Sequence, residues 1–193
     1  MISYTEESIG VHAVSLYEPG ECKAIVDYVR KLSRWDVAEV RVSEQQGEHH
    51  GEVVLKDRAA SILPLAESAR IHRKFHKKLD EVIKPLVKQI WRADFNEHSD
   101  THLIRYLPDG YYHVHRDNSL DLTSRYFTVL CYLNDDFEGG QTRFPSLNHS
   151  VKPAPGKAII FPSKYFHQGE PVLIGEKYIL VSWLIGPAPI DWI

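Results

Sequence analysis

Two short stretches of this chain hold the residues best able to do chemistry together: Tyr112-His113-Val114-His115-Arg116-Asp117 and Phe166-His167. On a strand, side chains two apart share a face, so His115 and Asp117 can reach one ion together. With His167 they make two imidazoles and one carboxylate, a set that caps one face of an octahedral ion and leaves three positions open. Open positions are what a redox iron needs, because a cosubstrate and oxygen must both bind there. His113 lies on the same face as a competing ligand. It would have to share an ion with Asp117 from four residues away, about 13 Å along a strand, so it reads better as pocket wall or as a residue supporting the ligands from behind. Lys177, with Trp183 behind it, adds a cation. Buried beside a metal, that cation needs an anion, and a dicarboxylate chelating through one end would bring one. At a strand edge it would be only a solvated lysine.

These residues sit in a second half built for strands. Runs at 101–107, 111–117, 126–133, 141–144, 150–152, 157–161 and 178–185 are separated by turn residues such as Pro108-Asp109-Gly110, Gly139-Gly140 and Gly175. Many short strands with regular punctuation predict an antiparallel double-sheet roll. The first half differs. Residues 11–17 and 37–42 read as strands, and Cys22, Ile25, Val26, Val29 and Leu32 give 21–35 helical spacing. From Pro64 to Trp91 apolar residues recur every three or four positions, predicting one long helix or two, with Pro85 at a kink or boundary. Residues 43–52 are polar and glycine-flanked and read as a mobile loop, in which His49-His50 could touch a substrate or simply be solvated.

The bulk properties bound the partners. At 193 residues, with 43% hydrophobic and 25% charged content, the chain suits one soluble globular domain. A net charge of −3 gives no global attraction to nucleic acid or anionic membranes. The basic helix face made by Arg70, Arg73, Lys74, Lys77 and Lys78 then reads as a solvated surface. Cys22 and Cys131 form no disulfide framework, there is no signal-peptide pattern, and no apolar run is long enough to span a bilayer. A cytoplasmic protein is the expectation, and its oligomeric state is left open. His72 and His76 have the i, i+4 spacing of a zincin helix, but Arg73 stands where the catalytic Glu belongs.

Beyond these readings, residues 101–186 resemble the 2-oxoglutarate and iron(II)-dependent dioxygenases, most closely their prolyl 4-hydroxylase-like branch. The resemblance rests on Tyr106 followed by Tyr112-x-x-His115-x-Asp117, and on Arg125-x-x-Thr128-x-Leu130-x-Tyr132-Leu133-Asn134. It extends through Gly139-Gly140-Gln141-Thr142-Arg143-Phe144-Pro145, and closes with His167, Pro171, Val172, Gly175, Lys177 and Trp183. It implies a double-stranded β-helix (jelly-roll, cupin-like) core, mainly β, with N-terminal helices packed on one sheet. Residues 1–193 would be one domain, with 1–100 as helical support and lid loop and 101–186 as catalytic core.

The resemblance also implies roles. His115, Asp117 and His167 would hold iron(II). Lys177 would bind the far carboxylate of 2-oxoglutarate, with help from Tyr106 and Thr128, and Trp183 would shape the pocket. Oxygen would be the second cosubstrate and ascorbate a candidate reductant. Arg58, Tyr112, His113 and Arg125 are candidates for substrate contact. Because Asp117 is present, where related halogenases lack the carboxylate, the outcome would be hydroxylation of an aliphatic C–H. The substrate would be a prolyl residue of a peptide or protein, or alternatively a free amino acid or small natural product. Gly110 falls one place late and the interval from Phe161 to His167 is short, which leaves the substrate side open. Two other classes compete. One is a non-catalytic jelly-roll binding module, which would leave Lys177, Tyr106 and Thr128 without an anion to face. The other is a zinc hydrolase, which lacks an obvious general-base Glu.

Overall fold

Alternation along the strands builds the core. In the strand Arg125–Tyr132, Val129 and Cys131 face one side while Leu130 and Tyr132 face the other, and all four are buried. The neighbouring strands Lys157–Pro162 and Lys177–Ile185 do the same: Ala158, Ile160, Tyr178 and Leu180 go one way, and Ile159, Phe161, Ile179 and Val181 the other. A sheet apolar on both faces must be covered on both. Helices cover one face, and a second sheet covers the other. The computed structural model describes residues 1–43, 49–52, 57–118, 122 and 124–186.

Among these residues the larger sheet has nine strands. Its order is 5–8, 11–15, 157–162, 125–132, 177–185, 102–106, 61–62 and 36–37, with 97–98 also pairing to 177–185. The smaller sheet runs 149–151, 142–144, 167–169, 111–115 and 58–59. Strand pairs 137–139 with 172–175 and 40–43 with 49–52 complete the ladders, every one antiparallel. This is the double-sheet roll that the spacing of turn residues predicts, with its helices on one side.

Three helices form the outer layer: α1 (Pro19–Val29), α2 (Leu65–Lys78) and α3 (Lys84–Trp91). In α1, Pro19 occupies the first turn and the Glu21 side chain accepts a hydrogen bond from the Glu18 N–H. Cys22, Val26, Phe75, Leu79, Ile83 and Leu86 insert from the helices into the core against the larger sheet. No helix among the described residues is long and apolar enough to cross a membrane. On α2, Lys77 and Lys78 of the basic face pair with Glu81 and Glu21.

The structure departs from the sequence reading in several places. The helix predicted for 21–35 ends at Val29. Pro85 does mark a boundary, as its place in the spacing predicts: α2 runs into a π-helical turn at Leu79–Ile83, α3 begins at Lys84, and Pro85 sits in its first turn. Of the loop predicted at 43–52, His49–Glu52 is a strand paired with Val40–Ser43, while 44–48 lie outside the described residues. The strand predicted at 111–117 stops at His115 and leaves Asp117 in the turn that follows.

Candidate active site

His115 and His167 stand directly opposite each other on adjacent antiparallel strands, with ring centroids 4.3 Å apart. The ladder pairs Tyr112 with Gly169 and His115 with His167, so the 111–115 strand carries one extra residue between those points, a bulge. The bulge breaks strict alternation. Tyr112 and His115, three apart, turn to the same side and stack at 3.5 Å. The Arg58 guanidinium lies over the Tyr112 ring at 4.6 Å. His113 is exposed and is not on the cavity wall, contrary to the face that a two-residue period assigns it. What His113 contributes is its carbonyl, 2.7 Å from His115 Nδ1.

Asp117 completes the cluster from its turn, where its N–H donates to the Ser163 carbonyl at 3.0 Å. Its Oδ1 lies 3.4 Å from His115 Nε2 and its Oδ2 3.5 Å from His167 Nε2. The Tyr165 carbonyl is 3.0 Å from His167 Nδ1. A carbonyl can only accept, so both Nδ1 atoms carry protons, and each ring turns its Nε2 toward the carboxylate. Among the described residues this is the one set of three potential ligands whose donor atoms gather, all within 4.8 Å of one another. Neighbouring ligands around an ion with bonds of about 2.1 Å stand ~3 Å apart, so a slight inward rotation of each side chain fits these three to iron(II). Burial pushes His167 down to about 4, with His115 adding to the effect. Burial works against the Asp117 carboxylate, but His167, His115 and the Thr128 hydroxyl outweigh it and hold its pKa below the usual carboxylate range. Asp117 and His167 are therefore deprotonated at neutral pH, as ligands must be.

Lys177 opens the last strand of the larger sheet, opposite Tyr106. It is 2% exposed, and its Nζ donates to the Gly140 carbonyl at 2.6 Å and faces the rings of Tyr106 at 5.1 Å and Tyr132 at 5.7 Å. Burial pushes it down to about 7, against the pull of Glu170. Gly140 (φ 62°) makes room for it, since a Cβ there would come within 3.2 Å of Lys177 Cδ and 2.9 Å of the Phe137 ring. A buried ammonium held by one carbonyl and two aromatic rings suits an incoming carboxylate. Lys177 and the three potential ligands line one cavity of about 730 Å³, with Tyr106, Tyr112, Thr128, Trp183, Arg58 and Arg125 on its wall. Trp183 Nε1 and Arg58 Nε are buried there without hydrogen-bond partners. Arg125 packs over the Trp183 ring at 3.6 Å.

The Thr128 hydroxyl, which the resemblance assigns to the cosubstrate, donates instead to Asp117 Oδ2 at 2.7 Å. Three further residues join the site. Thr142 accepts from the Tyr132 hydroxyl at 2.6 Å and lines the cavity, as its place inside the Gly-Gly-x-Thr-x-Phe-Pro run could have suggested. His102 lines it too, pushed down to about 4 by burial and by Arg58 and Arg125. Ser163, buried behind Asp117, has no signal in the sequence. Among the described residues the zincin-like pair gathers no third ligand: His76 Nε2 contacts Thr101 Oγ1 at 2.8 Å, and His72 Nε2 is buried without a partner.

Known proteins similar to this chain bear on the same segment. The model of the 2OG-Fe(II) oxygenase superfamily matches residues 101–185. A putative prolyl 4-hydroxylase of Acanthamoeba polyphaga mimivirus is 34% identical over 130 residues, covering 55% of this chain and 54% of that protein. Procollagen-lysine,2-oxoglutarate 5-dioxygenase 1 of Rattus norvegicus is 27% identical over 173 residues, covering 84% of this chain and 22% of its own length. The chain thus spans about half of the first relative and less of the second. Among solved structures, the viral collagen prolyl hydroxylase of Paramecium bursaria Chlorella virus-1 superposes with TM-score 0.62 at 21% identity, covering 93% of this chain and 97% of that one. A Trichoplax adhaerens prolyl hydroxylase bound to a hypoxia inducible factor peptide gives 0.70 at 18%, covering 91% and 83%. These last two speak for the jelly-roll fold. The matched segment carries the His115–Asp117–His167 cluster and Lys177, so the part of the chain that is similar to the 2OG-Fe(II) oxygenase superfamily is the part that holds the site.

Proposed function

We propose that residues 1–193 act as one catalytic domain, an iron(II)- and 2-oxoglutarate-dependent dioxygenase hydroxylating an aliphatic C–H of a prolyl residue in a peptide or protein. The observation that carries this reading is the sharing of one cavity by the His115–Asp117–His167 cluster and the buried Lys177. Iron(II) with 2-oxoglutarate and O2, when bound, supplies the oxidation of C–H to C–OH, coupled to decarboxylation of 2-oxoglutarate to succinate. Ascorbate is the candidate reductant.

Each residue has its task. His115, Asp117 and His167 hold the metal on one face. Their orientation is set beforehand by the carbonyls of His113 and Tyr165 and by the hydroxyl of Thr128. Lys177 pairs with the far carboxylate of 2-oxoglutarate, and the apolar walls around it exclude water, which strengthens that pair. Trp183 and Tyr106 shape the pocket between metal and lysine. Tyr112, Arg58 and Arg125 face the substrate. The prolyl hydroxylase relatives, one of them solved with a peptide, support a peptidyl substrate.

A free amino acid or small molecule is the second reading, and Arg58 favours it: a buried guanidinium with an unpartnered Nε on the cavity wall suits a substrate carboxylate. Succinate and hydroxylated product should be followed with prolyl peptides and with free amino acids, for wild type and Asp117→Ala. We expect peptide-stimulated succinate in the wild type and none in the variant. Turnover stimulated only by free amino acids would select the second reading, and equal turnover in both proteins would remove the metal cluster from the reaction.

A further inference from the structure

A chain of hydroxyls runs behind the cluster, and it points away from the cosubstrate. Thr128 Oγ1 lies 2.7 Å from Asp117 Oδ2 and 3.0 Å from Ser163 Oγ, and all three side chains are buried. The directions of these bonds follow from the proton count. An ionised carboxylate only accepts, so the single hydroxyl proton of Thr128 goes to Asp117. Thr128 can then only accept from Ser163, whose own proton completes the chain. The order is Ser163 to Thr128 to Asp117, each bond polarising the next in a dry environment.

Ser163 grips the same residue a second time. Its carbonyl accepts the Asp117 N–H at 3.0 Å, while its own N–H donates to the Tyr126 carbonyl at 2.8 Å. Asp117 needs this support because it lies past the end of its strand, in a turn that no ladder holds. Its backbone is fixed by the Ser163 carbonyl, and the rotation of its carboxylate by the Thr128 hydroxyl. Strand geometry supplies the anchor: Thr128 sits in the middle of the larger sheet, paired with Trp183 on one side and Phe161 on the other.

We infer that Thr128 and Ser163 are positioning residues for the Asp117 carboxylate, so that Thr128 acts on the metal through Asp117 and does not serve 2-oxoglutarate. This rests on the reading of His115, Asp117 and His167 as the metal ligands. It assigns Ser163 a part in the site, and it moves Thr128 from the cosubstrate to the ligand.

The full chain should be titrated with cobalt(II), an air-stable, coloured probe, by calorimetry and by its visible d–d absorption. The proteins compared are wild type, Asp117→Ala, Thr128→Val, Thr128→Ser and Ser163→Ala, with thermal melts of the metal-free proteins alongside. Loss of a residue that orients a ligand weakens metal binding by about 10- to 100-fold. We expect that loss, with an altered d–d band, in Thr128→Val, and a smaller loss in Ser163→Ala. Thr128→Ser keeps the donor and should bind and absorb like wild type, which separates a lost hydrogen bond from a damaged fold. The affinity of the cobalt-loaded proteins for 2-oxoglutarate is then measured. If Thr128→Val binds cobalt(II) as wild type does and instead loses 2-oxoglutarate affinity, the inference is overturned and Thr128 returns to the cosubstrate. If wild type binds cobalt(II) no better than Asp117→Ala, the underlying reading of the ligands fails, which is a separate result.

Discussion

Replacing Lys177 by Met should make the metal-free protein more stable while removing most of its affinity for 2-oxoglutarate. Burial moves this lysine from 10.5 to about 7. Each unit is about 1.4 kcal/mol, so holding the ammonium in place costs about 5 kcal/mol at or below neutral pH. Met has a similar length, needs no proton and forfeits one hydrogen bond to Gly140 worth ~1 kcal/mol, leaving a gain of roughly 3–4 kcal/mol. That corresponds to a rise in melting temperature of about 10 °C for a chain of this size. The pH dependence has a definite sign. An unfolded lysine stays protonated up to about 10.5, whereas the folded one gives up its proton near 7. The penalty is complete below pH 7 and fades as pH rises toward 10.5, so wild type and Lys177→Met should converge on alkalinisation. Binding moves the other way. Losing the charge-assisted pair with the far carboxylate should weaken 2-oxoglutarate by about 100-fold. Urea unfolding of the metal-free proteins at pH 7 and pH 9.5 gives the first quantity, and calorimetry with 2-oxoglutarate the second. A Met variant that is less stable at pH 7 would show that the buried ammonium carries no such cost, and one that binds 2-oxoglutarate like wild type would show that Lys177 does not pair with it.

Three further outcomes are expected. His72, His102 and His167 are each pushed down to about 4 by burial, so the unfolded chain takes up protons that the folded chain refuses. Metal-free stability should therefore fall as pH drops from 6.5 to 4, and a urea midpoint flat across that window would contradict the burial argument. Gly140→Ala places a Cβ at φ 62° against Phe137 and Lys177, which should cost ~1–2 kcal/mol and raise the 2-oxoglutarate concentration needed for half saturation. An unchanged melt and unchanged saturation would show that the lysine does not depend on that contact. Tyr112→Leu removes the ring stacked on His115 and should weaken cobalt(II) binding several-fold with little change at Lys177, which a metal titration beside a 2-oxoglutarate titration would resolve.

Much of the site was legible because its chemistry is written in short local spacings. His115-x-Asp117, the Gly139-Gly140 turn and the approach from His167 to Lys177 all fall where the strands bring them together. The roll itself could be read from turn residues, since punctuation survives without knowledge of pairing. What the sequence hid depends on register between distant strands. The bulge between Tyr112 and His115 exists only against His167–Gly169, and it is what turns His113 outward and Tyr112 inward. Val40–Ser43 alternates apolar and polar residues and is legible as a strand, but its partner His49–Glu52 reads His-His-Gly-Glu, with no apolar residue to announce the pairing. Ser163 reaches Thr128 only because residues 125–132 and 157–162 are neighbours in the sheet. Helix α1 ends at Val29 although apolar spacing continues to Leu32, because the chain must turn there to reach the edge strand at Asp36–Val37.

An anaerobic titration of the full chain with iron(II) and 2-oxoglutarate, followed by the visible charge-transfer absorption of the chelate, tests the shared metal and cosubstrate site itself. Wild type should develop the band at stoichiometric iron(II). Asp117→Ala should fail to develop it, and Lys177→Met should develop it only at much higher 2-oxoglutarate. If all three proteins give the same absorption, or none gives any, then His115, Asp117, His167 and Lys177 do not form one metal and cosubstrate site.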